Sequence, residues 1–86
     1  MRIKYTKQAL KALSSYDEPT RNLIREKILG LTEKPPKGDI KSMQGLKNEL
    51  RLRVGKYRVI YEYTTENDIE ILIISRVGTR GDIYKR

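Results

Sequence analysis

The sequence predicts an α+β fold in which a helical hairpin packs on a twisted antiparallel sheet of about four strands, in the order β-αα-βββ. Three observations support this. The stretch Glu49–Tyr63 alternates apolar and polar residues and breaks at Gly55-Lys56, which predicts a β-hairpin. Apolar residues recur at helical spacing in two earlier segments, and Ile69–Ser75 is a nearly continuous apolar run. With 86 residues and no repeat or linker, the chain is expected to form one domain, residues 1–86.

The first elements follow from local signals. Arg2–Tyr5 alternates and predicts a short strand, and Thr6 is placed to cap the first helix. That helix should end before Pro19, and Asp17 is expected to cap a second helix, so the two form an αα-hairpin. The predicted apolar stripes are Ala9, Leu10, Leu13 and Tyr16 in the first helix, and Leu23, Ile24, Ile28 and Leu31 in the second.

The later segments are predicted from breakers and hydropathy. Lys34–Lys47, which opens with two prolines and a glycine, is expected to be an exposed basic loop. Asn67-Asp68 marks a turn, and the apolar strand after it, Ile69–Ser75, is expected to be central in the sheet. Two glycines in Arg76–Arg86 predict that this last segment has no long regular element.

The hairpin places arginines on one face. If Gly55 and Lys56 form a two-residue turn, the apolar residues of both strands share a face, and Arg51 and Arg53 lie on the other with Arg58 opposite Arg53. Like charges directly opposite each other are destabilising. The face is therefore either a solvated surface or a phosphate-binding surface, because Arg matches phosphate oxygens with a rigid fork of donors.

The amino-acid composition limits which partners and which catalytic groups are possible. The net charge is +8, which favours an acidic partner, either nucleic acid or an acidic protein. The chain has no cysteine and no histidine, so disulfides, a Cys nucleophile and His-based metal sites are excluded. The acidic residues are scattered, and we expect neither a metal nor another cofactor. No signal peptide and no membrane-length apolar run is seen, so a cytoplasmic protein without membrane association is expected.

The remaining residue types suit RNA cleavage. RNA carries its own nucleophile, the 2′-hydroxyl beside each phosphate. An enzyme that aligns this hydroxyl, and neutralises the charge that develops on phosphorus with arginines, requires neither a metal nor a histidine. A Tyr or Lys with a lowered pKa can exchange the protons. Tyr84 is the candidate, four residues after Arg80, although packing of its ring at the core edge fits the pattern equally well.

The chain resembles the RelE/ParE superfamily of type II toxins. The resemblance lies in Lys41, Gly45 and Leu46, in the hairpin stretch Arg51–Tyr61, and in Val77–Tyr84. The predicted element order is also that of the family. The Arg-x-x-x-Tyr ending resembles the RelE branch, whose members are mRNA interferases that cleave mRNA in the ribosomal A site through a 2′,3′-cyclic phosphate and so inhibit translation.

The resemblance implies a set of site residues. Arg58 matches the arginine that stabilises the transition-state phosphate, Arg80 a second catalytic arginine, and Tyr84 the tyrosine that activates the 2′-hydroxyl. Arg51 falls where these enzymes have a basic strand residue. The predicted catalytic set is Arg51, Arg58, Arg80 and Tyr84, and the predicted RNA-binding set is Lys47, Arg53, Lys56 and Arg76. The chain departs from its relatives at Glu49, where better-known members have lysine, and at Thr79, where many have histidine.

The resemblance also implies partners: a cognate RelB-like antitoxin, often DNA-binding, in a toxin–antitoxin hetero-oligomer, together with mRNA and the ribosome. Two alternatives to a metal-independent endoribonuclease stay open at this point. One is a ParE-like, non-catalytic inhibitor of DNA gyrase, for which the surface of the helical hairpin matters. The other is a small basic RNA- or ribosome-binding module without toxicity.

Overall fold

The computed structural model describes residues 1–43, 45 and 48–84 and contains helices packed on one sheet. The elements are strand β1 (Arg2–Tyr5), helix α1 (Lys7–Ser15), helix α2 (Glu18–Leu29) with a 3₁₀ turn (Gly30–Thr32), strands β2 (Asp39–Ser42), β3 (Leu50–Val54), β4 (Tyr57–Glu66) and β5 (Ile69–Thr79), and helix α3 (Arg80–Tyr84). In the described part of the chain no helix is long and apolar enough to cross a membrane.

The predicted fold class is confirmed, with one strand more than expected. The sheet order is β1-β5-β4-β3-β2, in which β1 pairs parallel to β5 and every other pair is antiparallel. The additional strand, β2, lies in the segment predicted as a loop and pairs with β3. It is a four-residue edge strand in which only Ile40 is partly buried, so the segment is too short and too polar to show the alternating pattern that predicts a strand. Pairing with β3, a long-range interaction, makes it a strand.

The central hairpin has the predicted register. Val54 pairs with Tyr57, and Arg53 pairs with Arg58. Gly55 has φ 58°, a left-handed conformation that suits glycine in a two-residue turn. The second turn, at Asn67-Asp68, also has positive φ at both residues, so it joins β4 to β5 tightly.

The core lies between the helical hairpin and one face of the sheet. Ala9 and Leu13 of α1 and Ile24 and Ile28 of α2 are buried against the strands. Thr6 caps α1 as predicted, accepting a hydrogen bond from the Ala9 N–H at 3.2 Å. Asp17 stands at the N-cap of α2, although its side chain makes no capping hydrogen bond. The core consists of the buried residues Ala9, Leu13, Ile24, Ile28, Leu31, Leu52, Val54, Val59, Tyr61, Leu72, Ile74 and Val77.

Two residues of the predicted apolar stripes lie outside this core. Leu10 is 48% exposed and Leu23 is 47% exposed, because the two helices contact the sheet through narrower stripes than the sequence pattern indicated. Both leucines lie on the outer surface of the helical hairpin. They bear on the second candidate function below.

The C-terminal segment is more regular than predicted. β5 continues past Ser75 to Thr79, and it lies inside the sheet between β1 and β4. Gly78 is buried within this strand, and an added Cβ there would lie 2.9 Å from the Asp82 Cβ. The glycine therefore allows α3 to fold back closely onto the end of β5.

Candidate functional site

The sheet face opposite the core carries the predicted arginines. Because side chains alternate along a strand, Arg51 and Arg53 of β3 and Arg58 of β4 point away from the helices. Together with Arg80, at the start of α3, they line a cleft of ≈ 420 Å³. We call this the arginine cleft. It brings together three of the four predicted catalytic residues and one predicted RNA-binding residue, Arg53.

Arg58 is the most buried member of the cleft. The residue is 9% exposed, and its Nη1 donates to the carbonyl oxygens of Gly55 at 2.9 Å and of Tyr57 at 3.0 Å. Among the described residues, its Nε is buried without a hydrogen-bond partner, and no carboxylate lies within ion-pair distance of the guanidinium. A buried charge that is held only by backbone carbonyls is costly, and an anion would compensate it. The hairpin turn therefore fixes one guanidinium in a cleft that favours an anion.

Arg51 and Arg53 are held differently, by the carboxylate of Asp39, which was not among the predicted site residues. Asp39 Oδ1 accepts a hydrogen bond from Arg51 Nη2 at 3.1 Å, and its Oδ2 forms an ion pair with Arg53, 2.8 Å from Arg53 Nε. The pairing of β2 with β3 places Asp39 directly opposite Arg53. In the sequence Asp39 belongs to a charged breaker segment, and only knowledge of this strand pairing would have assigned it to the site.

Arg80 is positioned by a reciprocal cap at the start of α3. The Thr79 N–H donates to Asp82 Oδ2 at 3.2 Å, and the Asp82 N–H donates to Thr79 Oγ1 at 3.4 Å. This is the geometry of a capping box. The Arg80 N–H also donates to the Lys56 carbonyl at 3.3 Å, which ties α3 to the hairpin turn. Thr79 thus acts as a helix cap in this chain.

Glu49 contacts β5. Its Oε2 lies 3.3 Å from Ser75 Oγ, next to the register shift at Ile60 and Tyr61. Within the described residues Glu49 makes no ion pair with an arginine of the cleft. Its carboxylate is therefore engaged at the edge of the arginine face rather than between the guanidiniums.

The other predicted site residues are more dispersed. Lys56 is exposed in the hairpin turn, with its Nζ 5.5 Å from the centroid of the Tyr57 ring. Arg76 donates to the Asp82 carbonyl at 3.2 Å and lines a separate groove beside α1, so the structure does not bring it into the arginine cleft. Lys47 lies outside the described residues. The backbone of Tyr84 ends α3, and its side chain lies outside the described part of the chain.

Several other tyrosines are unsuited to proton transfer. Burial raises the pKa of Tyr61, and the neighbouring Tyr63 raises it further. Burial likewise raises the pKa of Tyr5, Tyr16 and Tyr63. These four phenols stay protonated at neutral pH, and their rings pack in or against the core.

Comparisons with known proteins agree with this fold. A family profile described as "ParE toxin of type II toxin-antitoxin system, parDE" matches residues 3–84. A chain of the RelB–RelE antitoxin–toxin complex from Methanococcus jannaschii is 30% identical, with a TM-score of 0.68 and 94% of both chains covered. A chain of the RelE–RelB complex from Pyrococcus horikoshii OT3 is 29% identical, with a TM-score of 0.69, covering 93% of this chain and 94% of that one.

A more distant structure shows the same fold. The YoeB/ParE toxin from Agrobacterium tumefaciens superposes with a TM-score of 0.78 at 14% identity, over 93% of this chain and 99% of that one. No curated protein sequence matches the chain significantly. Since the family profile matches nearly the whole chain and a relative at 30% identity covers the same extent, the chain belongs to the RelE/ParE superfamily of toxins of type II toxin–antitoxin systems.

Proposed function

We propose that the protein is a metal-independent mRNA endoribonuclease of the RelE type that acts in the ribosomal A site and inhibits translation. The observation that carries this proposal is the buried Arg58, held by two backbone carbonyls in a cleft with three further arginines. A fixed cationic group in a partly dehydrated cleft is what stabilises charge that develops on a phosphoryl group. A surface that only attracts nucleic acid would need no such buried guanidinium.

The proposed reaction is an internal transfer within RNA. The 2′-oxygen attacks the adjacent phosphorus as the bond from phosphorus to the 5′-oxygen breaks, which leaves a 2′,3′-cyclic phosphate and a free 5′-hydroxyl. The 2′-hydroxyl loses a proton to a general base, and the departing 5′-oxygen receives one. Arg58 would contact the non-bridging phosphate oxygens, and Arg51 and Arg80 would stabilise the charge from either side. Tyr84 is the proposed general base.

The proposal includes a protein partner. The M. jannaschii and P. horikoshii relatives were each solved as complexes of a RelE toxin with a RelB antitoxin. With a net charge of +8, this chain is suited to bind an acidic segment of a cognate RelB-like antitoxin in a hetero-oligomer. Such a segment would block the arginine cleft or displace α3.

Cleavage of ribosome-bound mRNA tests the proposal directly. The purified protein is added to ribosomes programmed with a defined mRNA, and new 5′ ends are mapped by primer extension. We expect cuts within the A-site codon that are lost with Arg80→Ala and retained with Arg2→Ala, a matched control that removes an exposed arginine from β1. Failure of the wild-type protein to cut, with or without ribosomes, would refute the nuclease function.

A second candidate function is inhibition of DNA gyrase by binding. The matching family profile is described as a ParE toxin, and Leu10 and Leu23 are exposed on the helical hairpin, where Leu10 lines a groove together with Lys7 and Arg21. Under this alternative, expression is toxic, purified gyrase loses supercoiling activity, and Arg80→Ala remains toxic while Leu10→Glu does not. Loss of toxicity with Arg80→Ala and its retention with Leu10→Glu would contradict the gyrase alternative.

A further inference from the structure

The carboxylate of Asp39 joins two arginines of the cleft that would otherwise repel each other. Arg51 and Arg53 are two residues apart on one strand face, and Arg53 also lies opposite Arg58. Asp39 contacts the first two through different oxygens, at 3.1 Å and 2.8 Å. One residue of the edge strand β2 therefore sets the relative positions of two guanidiniums on β3.

The environment of Arg51 makes this contact more than a surface ion pair. The Arg51 side chain is only 12% exposed, and its Nε is buried without a partner among the described residues. Asp39 is the carboxylate within ion-pair distance of this guanidinium in the described part of the chain. The Arg53 side chain is 54% exposed, and without Asp39 it would be free to move into solvent away from Arg58.

The ion pair of Asp39 with Arg53 contributes little to folding. Both side chains are about half exposed, 46% for Asp39 and 54% for Arg53, and ion pairs of such groups are largely offset by solvation and side-chain entropy. Asp39 is on a short edge strand and outside the hydrophobic core. Its contacts therefore stabilise the arrangement of the cleft more than they stabilise the fold.

We infer that Asp39 is a positioning residue for RNA cleavage, which holds Arg51 and Arg53 in the geometry that receives the phosphate. This inference rests on the proposed nuclease function. Arg51 uses one of its five N–H donors for Asp39 and its Nε–H is buried, which leaves three N–H groups on the two Nη atoms for the substrate. A carboxylate at this position lowers the positive charge of the cleft, so its benefit must lie in rate rather than in affinity.

Kinetics of three variants on programmed ribosomes test the inference. Asp39→Asn removes the charge at nearly constant shape, and Asp39→Glu keeps the charge on a longer side chain. Glu66→Gln is the matched control, because it removes one negative charge from an exposed pair with Lys4 at the far end of β4. We expect Asp39→Asn to lower kcat by roughly tenfold or more, the scale of small misplacements of catalytic groups, while KM is unchanged or reduced. Asp39→Glu should recover part of kcat, and Glu66→Gln should match the wild type.

A direct structural readout separates positioning from loss of folding. The Nε–Hε signal of Arg53 in a ¹⁵N–¹H NMR spectrum reports on its ion pair with Asp39, because the Nε atom lies 2.8 Å from the carboxylate. In Asp39→Asn this signal should show faster solvent exchange, while backbone amide signals and the melting temperature stay close to those of the wild type. An unchanged Arg53 signal would overturn the inference.

The kinetic outcomes are also distinguishable from failure of the proposed function. If the wild type cleaves and Asp39→Asn cleaves as fast or faster, Asp39 only competes with phosphate for the arginines, and the positioning role is refuted. Failure of Asp39→Glu to recover any activity would also refute it. If the wild type does not cleave, the nuclease function itself fails, and the role of Asp39 in cleavage fails with it.

Discussion

Replacing Arg58 with alanine separates catalysis from folding most sharply. The residue is buried, but its polar contacts are two hydrogen bonds to the backbone carbonyls of Gly55 and Tyr57. Their loss costs about 1.5–3 kcal/mol each, because the donor is a charged guanidinium, which is about 3–6 kcal/mol in total. Removal of a buried guanidinium that has no carboxylate partner among the described residues offsets part of this cost. We therefore expect a folded variant whose loss of stability is below about 6 kcal/mol.

The expected effect of the same substitution on cleavage is much larger. Removing one preorganised group that stabilises transition-state charge lowers kcat by about 10²–10³-fold. Arg58→Lys keeps the positive charge but loses the guanidinium fork, so it should restore only part of the rate. The assay is primer extension on programmed ribosomes, at protein concentrations that saturate the reaction, with melting temperature and antitoxin binding measured in parallel.

Cleavage, melting temperature and antitoxin binding together show whether Arg58 acts in catalysis or in folding. Loss of cleavage with antitoxin binding close to that of the wild type is the expected result. Cleavage by a folded Arg58→Ala within a few-fold of the wild type would refute a transition-state role. Loss of cleavage, folding and antitoxin binding together would show that Arg58 is a structural residue.

Three further substitutions test how the site is supported. In Gly78→Ala the new Cβ lies 2.9 Å from the Asp82 Cβ, so α3 must shift. We expect a loss of about 1–3 kcal/mol in the free energy of unfolding, measured with denaturant, and slower cleavage. An unchanged cleavage rate would show that the position of α3 is unimportant for activity. Thr79→Val removes the hydroxyl of the capping box, which should lower the local stability of α3 by about 0.5–2 kcal/mol. The expected result is faster amide hydrogen exchange in α3. Unchanged exchange would contradict the role of the cap. Tyr61→Phe should change stability by less than about 1 kcal/mol at neutral pH, because the buried hydroxyl has no partner among the described residues. Burial raises the pKa of Tyr61, so the wild type loses stability as the pH rises above about 10, the pKa of tyrosine in the unfolded chain. Tyr61→Phe should lose less stability than the wild type in alkaline denaturation. Equal losses of stability would argue against the raised pKa.

Local signals in the sequence determined the central hairpin and the helices. The period-two pattern and Gly55 predict the pairing of Arg53 with Arg58 on the condition that the turn has two residues, and the structure shows that register. Capping by Thr6 and the end of the first helix before Pro19 likewise depend only on neighbouring residues. The grouping of Arg51, Arg53 and Arg58 on one face follows from the same alternation, so most of the candidate site was predictable.

Other features depend on contacts between distant segments. β2 has no strand signal of its own, and only its pairing with β3 makes it a strand and brings Asp39 to the arginines. The parallel pairing of β1 with β5 joins segments that are about seventy residues apart, and no local pattern encodes it. Which leucines of the helical stripes are buried is decided by how the helices lie on the sheet. Periodicity and turn residues act over a few positions, so the sequence by itself determined the elements and the arginine face, whereas the tertiary structure decided which charges meet there.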